Sequence, residues 1–302
     1  MKHIFIINPT AGKQDSRQRI YDMAKELREK HELDVQCILT KKQGHATEIA
    51  RKLCKEGGEL RFYACGGDGT ANEVANGILG FDNAAMTMVP VGTGNDLLKN
   101  FGDDLEKFRD VENLWDGPVF PMDVIEVNGR YALTIACSGI DARVAADVHK
   151  YSESPLLDGK SSYIVSLLVN FFFKGIGSHW KVEMDGEEME GDWSLVSVCN
   201  GRYYGGGFYA VPEADPRDGL LDVLLVKKIT RAQVPGLIGK YKAGRYKELP
   251  EYITHYRTDR LEIHSPTPTA VNLDGELKME TDISMSIAKE KVRFFYPKGL
   301  TW

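Results

Sequence analysis

The sequence predicts an α/β domain with a parallel sheet, followed by a second, mainly antiparallel β domain. Strand and helix patterns alternate over the first 100 residues, and polar or glycine-rich turns follow several of the strands. After about residue 116, helical patterns become scarce, and Asn-Gly and Asp-Gly turns separate strand-like runs. Alternating elements are typical of βαβ units, whereas Asn-Gly and Asp-Gly between strand-like runs predict β-hairpins.

Four strands and three helices are predicted in the first domain, which we expect to span residues 1–117. The strands are predicted at 4–7, 35–39, 60–65 and 86–91. Between them, apolar residues recur on one helical face, the pattern of an amphipathic helix. These stripes comprise Ile20, Met23, Ala24 and Leu27, then Ala46, Ile49, Ala50 and Leu53, and then Val74, Ala75, Ile78 and Leu79.

The second domain is expected at 118–296 and has three predicted hairpin turns, Asn128-Gly129, Asp185-Gly186 and Asp274-Gly275. Segments 119–127 and 131–136 are expected to pair around the first of these turns. The further predicted elements are strands at 220–226, 261–264, 284–288 and 292–296, and helices at about 141–150, 161–174 and 231–243. Pro235 and Gly236 leave the start of the last helix open.

Composition and charge exclude several classes of protein. The 302 residues are 42% hydrophobic and 27% charged, which is typical of a globular protein and not of a disordered one. A net charge of −6 argues against broad nucleic-acid binding. Five cysteines without a C-x-x-C pair, and no signal-peptide pattern, favour a cytoplasmic protein. The longest apolar run, 163–173, is too short for a membrane-spanning helix.

Polar turns after the predicted strands indicate a nucleotide site. The third strand runs into Gly66-Gly67-Asp68-Gly69-Thr70, where glycine N–H groups and a helix N-terminus favour phosphate binding. The first strand ends in Asn-Pro-Thr-Ala-Gly at 8–12, and the fourth in Gly-Thr-Gly-Asn-Asp at 92–96. Because the carboxyl ends of parallel strands lie at the same edge of a sheet, the three turns predict one site.

Two carboxylates in these turns, Asp68 and Asp96, predict a magnesium–nucleotide complex. A carboxylate in an anion site is costly unless a cation accompanies the phosphate. The alternative is an ordinary strand-to-helix turn that Asp68 caps. A Walker A loop at 159–161 and a dinucleotide fingerprint starting at Gly92 are excluded, because Ser154 and Leu97 stand where these motifs need glycine.

Four motifs in this order resemble the diacylglycerol kinase catalytic-domain family, which includes bacterial soluble lipid kinases and sphingosine and ceramide kinases. They are Asn-Pro-x-x-Gly, Gly-Gly-Asp-Gly-Thr-x-Asn, Gly-Thr-Gly-Asn-Asp and a late Asp-Gly-Glu. Gly-Gly-Asp-Gly-Thr alone is shared with NAD kinases. The resemblance implies an NAD kinase-like α/β domain and a β-sandwich second domain, with ATP in the cleft between them. It also implies a C-terminal tail, about 297–302, that returns to the first domain.

The resemblance further implies the residues that contact the nucleotide. Asp96 corresponds to an acidic residue near the phosphate and magnesium, and Asp68 is expected to assist the same metal. The implied nucleotide-binding residues are Asn8, Pro9, Thr10, Ala11, Gly12, Thr40, Gly66, Gly67, Asp68, Gly69, Thr70, Ala71, Asn72 and Thr93.

The general base of the resembled family is the glutamate of the late Asp-Gly-Glu, and this sequence holds that triplet twice. Asp185-Gly186-Glu187 lies in an acidic run that is typical of an exposed hairpin tip. Asp274-Gly275-Glu276 follows a more apolar strand and has the position of the family's base. We therefore expect Glu276 to be the catalytic base and Asp274 to orient it.

A second, structural magnesium site is implied in the run from 213 to 220. The side chain of Asp218 and main-chain oxygens of Asp215 and Leu220 are the implied ligands, and hard oxygen donors suit magnesium or calcium. A plain turn before the next strand is the alternative, and Pro216 is a local feature that could alter the loop. Asp123 matches an aspartate that ties this region together in the family; the alternative is a polar residue on an edge strand.

These expectations describe an ATP-dependent lipid kinase. It would transfer the γ-phosphoryl of ATP to the hydroxyl of diacylglycerol or a related lipid in phospholipid metabolism, with magnesium as its metal. We expect a cytoplasmic protein with transient membrane contact and no nucleic-acid partner, and homodimers are common in the resembled family. An NAD kinase and a nucleotide-binding regulator without turnover are the alternatives. The Asn-Pro-x-x-Gly opening and the late Asp-Gly-Glu favour the lipid kinase.

Overall fold

The computed structural model describes residues 1–12, 16–91, 94–139 and 177–300. The chain divides into two compact units, Met1–Val124 with Lys289–Trp302, and Ile125–Ala288. The helices predicted at 141–150 and 161–174, and the 159–161 turn, lie outside the described residues. Within the described ranges, no helix combines the length and the apolar composition that a membrane span requires.

Strands and helices are labelled in chain order. The strands are β1 (Lys2–Ile7), β2 (Asp34–Leu39), β3 (Leu60–Gly66), β4 (Ala84–Pro90), β5 (Val119–Met122), β6 (Ile125–Val127), β7 (Arg130–Ala132), β8 (Ile135–Gly139), β9 (Ser178–Met184), β10 (Glu187–Cys199), β11 (Tyr203–Tyr204), β12 (Phe208–Tyr209), β13 (Leu221–Lys227), β14 (Ile253–Thr258), β15 (Arg260–Leu273), β16 (Glu276–Ile287) and β17 (Val292–Phe295). The α-helices are α1 (Arg17–His31), α2 (His45–Glu56), α3 (Asp68–Ile78), α4 (Asp96–Lys99), α5 (Val111–Leu114) and α6 (Val234–Lys242). Gly102–Arg109 and Tyr246–Glu248 form 3₁₀-helices.

Six strands form the sheet of the first unit, in the order β2-β1-β3-β4-β17-β5. β1 to β4 are parallel, which confirms the predicted α/β domain. Every residue of β4 is buried, as is typical of a parallel strand with both faces covered. The carboxyl ends of β1 to β4 share one edge, so the turns that follow these strands lie at the same edge of the sheet.

The predicted helical stripes locate the buried faces of the helices. In α1 the buried residues are the four of the predicted stripe, Ile20 to Leu27. In α2 the buried row is instead Ala46, Ala50 and Cys54, and Ile49 and Leu53 are only half-buried. The reason is that the i, i+4, i+8 row faces the core, and the predicted residues at i+3 lie beside it.

The predicted strand at 119–127 is wrong as a single element of the second domain. Its first part, β5, pairs with β17 in the sheet of the first unit, and only β6 pairs with β7 around Asn128-Gly129. β17 also pairs in parallel with β4, through Phe294 and Met86. The compact units therefore divide at Val124 and Lys289, whereas we expected 117 and 297. Alternating apolar residues indicate a strand but do not specify its partner.

The second unit is an antiparallel β-sandwich, as the resemblance implied. Its main path runs β14-β13-β10-β8-β15-β16-β6-β7, and β9 pairs with both β10 and β15. β10 and β15 each have a register shift, after which they leave β9 and pair with β8. Such bulged, bent strands let one chain segment serve both layers of a sandwich. Along β10, Val196 and Val198 face one core cluster, and Leu195 and Cys199 face the other.

All three predicted hairpin turns of the second unit are formed. Asn128-Gly129 connects β6 and β7, Asp185-Gly186 connects β9 and β10, and Asp274-Gly275 connects β15 and β16. Both residues of each turn have positive φ, the geometry that favours Asn-Gly and Asp-Gly in two-residue hairpins. The helix predicted at 231–243 begins at Val234, because Pro235 is accommodated within its first turn.

Candidate active site

The turn after β3 leads directly into a helix N-terminus. Gly67 is the N-cap of α3 in an extended conformation, and Asp68 is the first helical residue. The N–H groups of Thr70 and Ala71 donate to the Gly67 carbonyl at 3.0 and 3.1 Å. Gly67, and not Asp68, is therefore the capping residue of α3.

Asn8 joins the turn after β1 to the turn after β3. Its side-chain amide donates to Thr70 Oγ1 at 3.2 Å, and its N–H donates to the Cys65 carbonyl at 3.0 Å. Thr70 crosses Gly66 so closely that a Cβ at Gly66 would lie 2.3 Å from Thr70 Oγ1. A side chain at position 66 would separate the two turns, which explains the glycine there. Asn8 Oδ1 also accepts from the hydroxyl and N–H of Thr10 at 2.9 and 3.1 Å.

Asp68 joins the turn after β3 to the turn after β4. Its Oδ1 accepts from the Leu97 N–H at 3.4 Å. On the other side, a Cβ placed at Gly94 would lie 2.6 Å from Asp68 Oδ2. Gly94 thus leaves the space that the Asp68 carboxylate occupies, so one carboxylate lies against the start of α4.

The other predicted nucleotide residues that the structure describes lie at the same edge of the sheet. Thr40 follows β2, and its N–H donates to the Ile7 carbonyl at 2.8 Å. Gly12 has a φ of +83°, and a Cβ there would lie 2.6 Å from the Val91 carbonyl oxygen. Pro9 and Ala11 belong to the same turn as Asn8, and Gly69, Ala71 and Asn72 to the first turn of α3. Thr93 lies outside the described residues.

Asp96, the second predicted acid of this edge, begins α4 and is 4% exposed. Lys99, one turn later, holds its Oδ1 in an ion pair of 2.5 Å. A lysine beside a buried carboxylate offsets its charge, so Asp96 is partly neutralised without a metal. Asp68, whose carboxylate lies between Gly94 and Leu97, is consequently the better placed of the two acids for a cation.

The Asp274 carboxylate is held by main-chain donors of the second unit. It accepts from the N–H groups of Leu133, Thr134 and Ile135 at 2.5, 3.2 and 3.0 Å, and from Thr134 Oγ1 at 2.5 Å. These bonds fix the β15–β16 turn, in which Asp274 has a φ of +47°. The Asp274 carboxylate therefore holds the turn that precedes Glu276 against residues 133–135.

Glu276 is exposed at the start of β16, opposite Leu273 in the hairpin. Arg130 is its charged neighbour: burial lowers the pKa of Arg130, and the carboxylates of Glu280 and Glu276 act in the opposite direction. Arg130 Nη2 lies 3.5 Å from Glu280 Oε1. The environment of Glu276 thus includes a partly buried arginine that no sequence motif marks.

The other Asp-Gly-Glu triplet has the exposed position that the sequence indicated. Asp185, Gly186 and Glu187 are all exposed at the tip of the β9–β10 hairpin. Asp185 accepts a hydrogen bond from Thr258 Oγ1 at 2.7 Å. Among the residues that the structure describes, Asp185 lacks the set of main-chain donors that surrounds Asp274.

The predicted structural metal loop precedes β13, and arginines engage both of its carboxylates. Arg217 binds Asp215 in a bidentate manner, with both distances at 2.7 Å, and lowers the pKa of the Asp215 carboxyl. Arg257 forms an ion pair with Asp218 Oδ2, and Asp218 Oδ1 accepts from the Leu220 N–H at 3.0 Å. Arg217 thus leaves only main-chain oxygen at Asp215 for a cation. The donor types fit a hard cation if Arg257 releases Asp218.

Asp123 lies directly after β5 and is fully buried. Lys291, just before β17, is 2.6 Å from its Oδ1. This ion pair ties the two chain segments of the first unit together where β5 and β17 meet. The alternative, a polar residue on an edge strand, holds for the strand, since β5 is the edge of its sheet, but Asp123 itself is buried and paired with Lys291.

Comparison with known proteins assigns the family. Residues 2–127 match the family described as "Diacylglycerol kinase catalytic domain", and residues 134–295 match the "YegS C-terminal NAD kinase beta sandwich-like domain". The chain belongs to the diacylglycerol kinase-like family. The protein named "Putative lipid kinase" of Staphylococcus carnosus is 25% identical over 88% of this chain and 94% of its own length. One named "Probable lipid kinase YegS-like", from Alcanivorax borkumensis, is 28% identical over 85% of this chain and 89% of its own.

Solved structures show the same fold for this diacylglycerol kinase-like chain. A crystal structure described as a putative diacylglycerol kinase from Bacillus anthracis superposes with a TM-score of 0.76. It covers 99% of this chain and 98% of its own at 23% identity, which supports the fold alone.

Several residues that shape the sites of this diacylglycerol kinase-like protein were not found from the sequence. Lys99 pairs with Asp96, Arg257 with Asp218, and Arg130 lies beside Glu276. The spacing of Lys99 and Asp96, i and i+3 on a helix, is a local signal that could have indicated that pair. Arg257 and Arg130 come from other strands, and only the strand register brings them to their partners.

Proposed function

We propose that this protein is an ATP-dependent lipid kinase, which transfers the γ-phosphoryl of ATP to the hydroxyl of diacylglycerol or a related lipid. The observation that carries the proposal is the meeting of three turns at one edge of the parallel sheet, where Asn8 and Asp68 each join two of them. A glycine-rich turn that opens a helix binds phosphate through N–H groups and the helix dipole. A carboxylate in that place favours a phosphate accompanied by a cation.

The chain's own residues have separate tasks in this reaction. Main-chain groups of the 8–12 and 66–72 turns hold the nucleotide phosphates. Gly66 and Gly94 leave the space that Thr70 and the Asp68 carboxylate occupy beside these turns. Glu276 accepts the proton of the lipid hydroxyl as the phosphoryl group arrives, which leaves phosphatidate and ADP when diacylglycerol is the acceptor. Asp274 orients Glu276 through the rigid turn.

Magnesium is the proposed metal of the phosphate site, with Asp68 as its main protein ligand and Asp96 nearby. When bound, it would offset the charge of the phosphate oxygens during transfer. The Lys99 ion pair reduces the negative charge of Asp96. Asp68 is half-buried, and its two oxygens face Leu97 and Gly94.

The loop at Asp215, Asp218 and Leu220 is proposed as a structural cation site for which Arg257 competes. Magnesium without nucleotide should raise the thermal stability of the wild type, because a ligand that binds only the folded state stabilises it by mass action. Asp218→Ala should remove that response, and Arg257→Gln should enlarge it. Thermal unfolding with and without magnesium measures both effects. Equal responses in all three proteins would leave the loop as a plain turn.

The proposed function is tested by supplying labelled ATP with a panel of acceptors. We expect transfer to diacylglycerol in phosphatidylcholine vesicles, with a sphingoid base, phosphatidylglycerol and soluble NAD as the other acceptors. Labelled NAD would favour the NAD kinase alternative, which shares the Gly-Gly-Asp-Gly-Thr motif. ATP binding without transfer to any acceptor would indicate a regulator. The same assay, run on the purified protein across concentrations, shows whether activity depends on a homodimer.

Since the acceptor is a membrane lipid, we propose that the protein is cytoplasmic and contacts the bilayer transiently. ATP and the lipid are its proposed partners, and its acidic balance supports no role for nucleic acid. A peripheral enzyme of this kind needs a surface that favours the bilayer.

A further inference from the structure

The segment 227–252, which connects β13 to β14, carries a charge opposite to that of the whole protein. It contains seven lysines and arginines and two glutamates, a net charge of +5, whereas the chain carries −6. The cations are Lys227, Lys228, Arg231, Lys240, Lys242, Arg245 and Lys247. All of them are exposed except Lys240, which is half-buried. Positive charge is therefore concentrated in one connection of an acidic protein.

This segment is a compact projection from one end of two paired strands. Its ends meet where the Lys227 N–H donates to the Tyr252 carbonyl at 2.9 Å. Gln233 Nε2 donates to Tyr252 Oη at 3.2 Å, and the Arg245 N–H donates to the Lys240 carbonyl at 2.9 Å. β14 is the edge strand of its sheet, so the projection lies at the border of the second unit.

Neighbouring carboxylates offset only part of the positive charge. Asp192 pairs with Lys228 at 2.9 Å, Glu248 with Lys240 and Arg245, and Glu213 with Lys247. Lys227 and Lys242 have no ion pair within the described part of the chain, and Lys242 Nζ lies 5.4 Å from the Phe208 ring centre. Exposed ion pairs contribute little energy, so the paired lysines can also turn to an external anion.

The helix within this segment, α6, has an outward face suited to a flat surface. Its nine residues include no carboxylate, and Tyr241 is its buried residue. Leu237 and Ile238 pack against the core of the unit. Pro235, Gly239 and Lys242 are exposed at i, i+4 and i+7, on one helical face, together with Gly236. Three of these four residues have small side chains, so a planar partner can approach the helix closely, and the fourth, Lys242, is a cation.

We propose that segment 227–252 docks this protein on an anionic phospholipid bilayer, with the outward face of α6 against the headgroups. The segment holds seven lysines and arginines, two of them on α6, and basic clusters of four to eight residues beside or on a helix are typical of surfaces that bind anionic lipids. The flat face favours a bilayer over a nucleic acid, which needs a ridge or groove to follow its backbone. The docking surface rests on the proposed lipid kinase function, since the acceptor lies in a bilayer, but binding is measured without ATP.

The test compares two triple variants with the same change in net charge. Lys227→Gln, Arg231→Gln and Lys242→Gln neutralise the proposed surface, and Lys25→Gln, Lys52→Gln and Lys55→Gln neutralise exposed cations of α1 and α2. Binding is followed by flotation with vesicles of phosphatidylcholine alone, or with about one third phosphatidylglycerol. We expect the wild type and the α1–α2 variant to bind the anionic vesicles. The 227–252 variant should bind them on the order of 100-fold more weakly.

Turnover of a short-chain diacylglycerol in solution separates docking from catalysis. The 227–252 variant should keep wild-type turnover there and lose activity only on anionic vesicles. Equal loss of vesicle binding in both triple variants, or none in either, would overturn the proposal. So would wild-type protein that binds a DNA duplex but not the vesicles. Intact vesicle binding without phosphoryl transfer to any lipid would instead contradict the proposed kinase function and leave the docking surface supported.

Discussion

Asp68→Ala should lower the rate of phosphoryl transfer on the order of 1,000-fold and leave the fold intact. The physical reason is that Asp68 does not cap α3, and its half-buried carboxylate lies between Gly94 and the Leu97 N–H. In that place the carboxylate can hold the cation that accompanies the nucleotide phosphates. Initial rates at saturating ATP and magnesium measure the first effect, and thermal unfolding measures the second.

Two further variants distinguish the charge of Asp68 from its position. Asp68→Asn keeps an acceptor for the Leu97 N–H but has no charge, and it should lose as much activity as Asp68→Ala. In Gly94→Ala the new Cβ would meet Asp68 Oδ2 at 2.6 Å, and a side-chain oxygen can move aside at little cost in stability. Gly94→Ala should therefore lower turnover while unfolding stays near wild type. Asp34→Asn, an exposed acid of β2, is the matched control. Near-normal turnover of Asp68→Ala would show that Asp68 holds no essential metal.

The parallel part of the fold follows from local patterns in the sequence. The α1 stripe predicted all four buried residues of the helix, because an amphipathic helix between two parallel strands has only one face to bury. The three hairpins were equally predictable, since Asn-Gly and Asp-Gly adopt the positive φ angles that two-residue turns require. In both cases the information lies within a few neighbouring residues.

Strand partners were not predictable in the same way. β5 and β17 are short and largely apolar, and nothing in them indicates that they pair with each other across about 170 residues of intervening chain and extend the sheet of the first unit. The buried ion pair between Asp123 and Lys291 depends on that pairing. Arg257 reaches Asp218 for a similar reason, because β14 pairs with β13 and brings the two charges to the same end. Local spacing carries no information on such contacts.

The candidate site shows the same division between local and long-range information. The motifs predicted which turns carry polar groups, and the parallel sheet places those turns at one edge. The glycine at 66 is explained only by Thr70 crossing it, and the glycine at 94 only by the carboxylate of Asp68. Likewise, Asp274 was expected to orient Glu276, but its main-chain donors at 133–135 come from the β7–β8 connection and the first residue of β8. The structure therefore gives a physical reason for the glycines at 66 and 94 and for the fixed position of the Asp274 carboxylate.

The main-chain N–H groups at 133–135 also give a physical reason to distinguish the two Asp-Gly-Glu triplets. Asp274 accepts from three main-chain N–H groups and one hydroxyl, whereas within the described ranges Asp185 accepts from one hydroxyl. A base must be held in a fixed position to accept a proton from a substrate hydroxyl. The turn that carries Glu276 is held in this way, and Glu187 lies at an exposed hairpin tip.

Glu276→Gln should reduce turnover on the order of 100- to 10,000-fold, because glutamine keeps the shape of glutamate but cannot accept the proton. ATP affinity should change little, since the proposed nucleotide contacts lie on the turns of the first unit. Single-turnover rates and ATP titrations measure the two quantities separately. Glu276 is exposed, so its substitution should change the free energy of unfolding by no more than about 0.5 kcal/mol.

Glu187→Gln, in the same local sequence, should leave rate, ATP affinity and stability near wild type. Equal activity of the two variants, or a larger loss in Glu187→Gln, would contradict the assignment of Glu276 as the base.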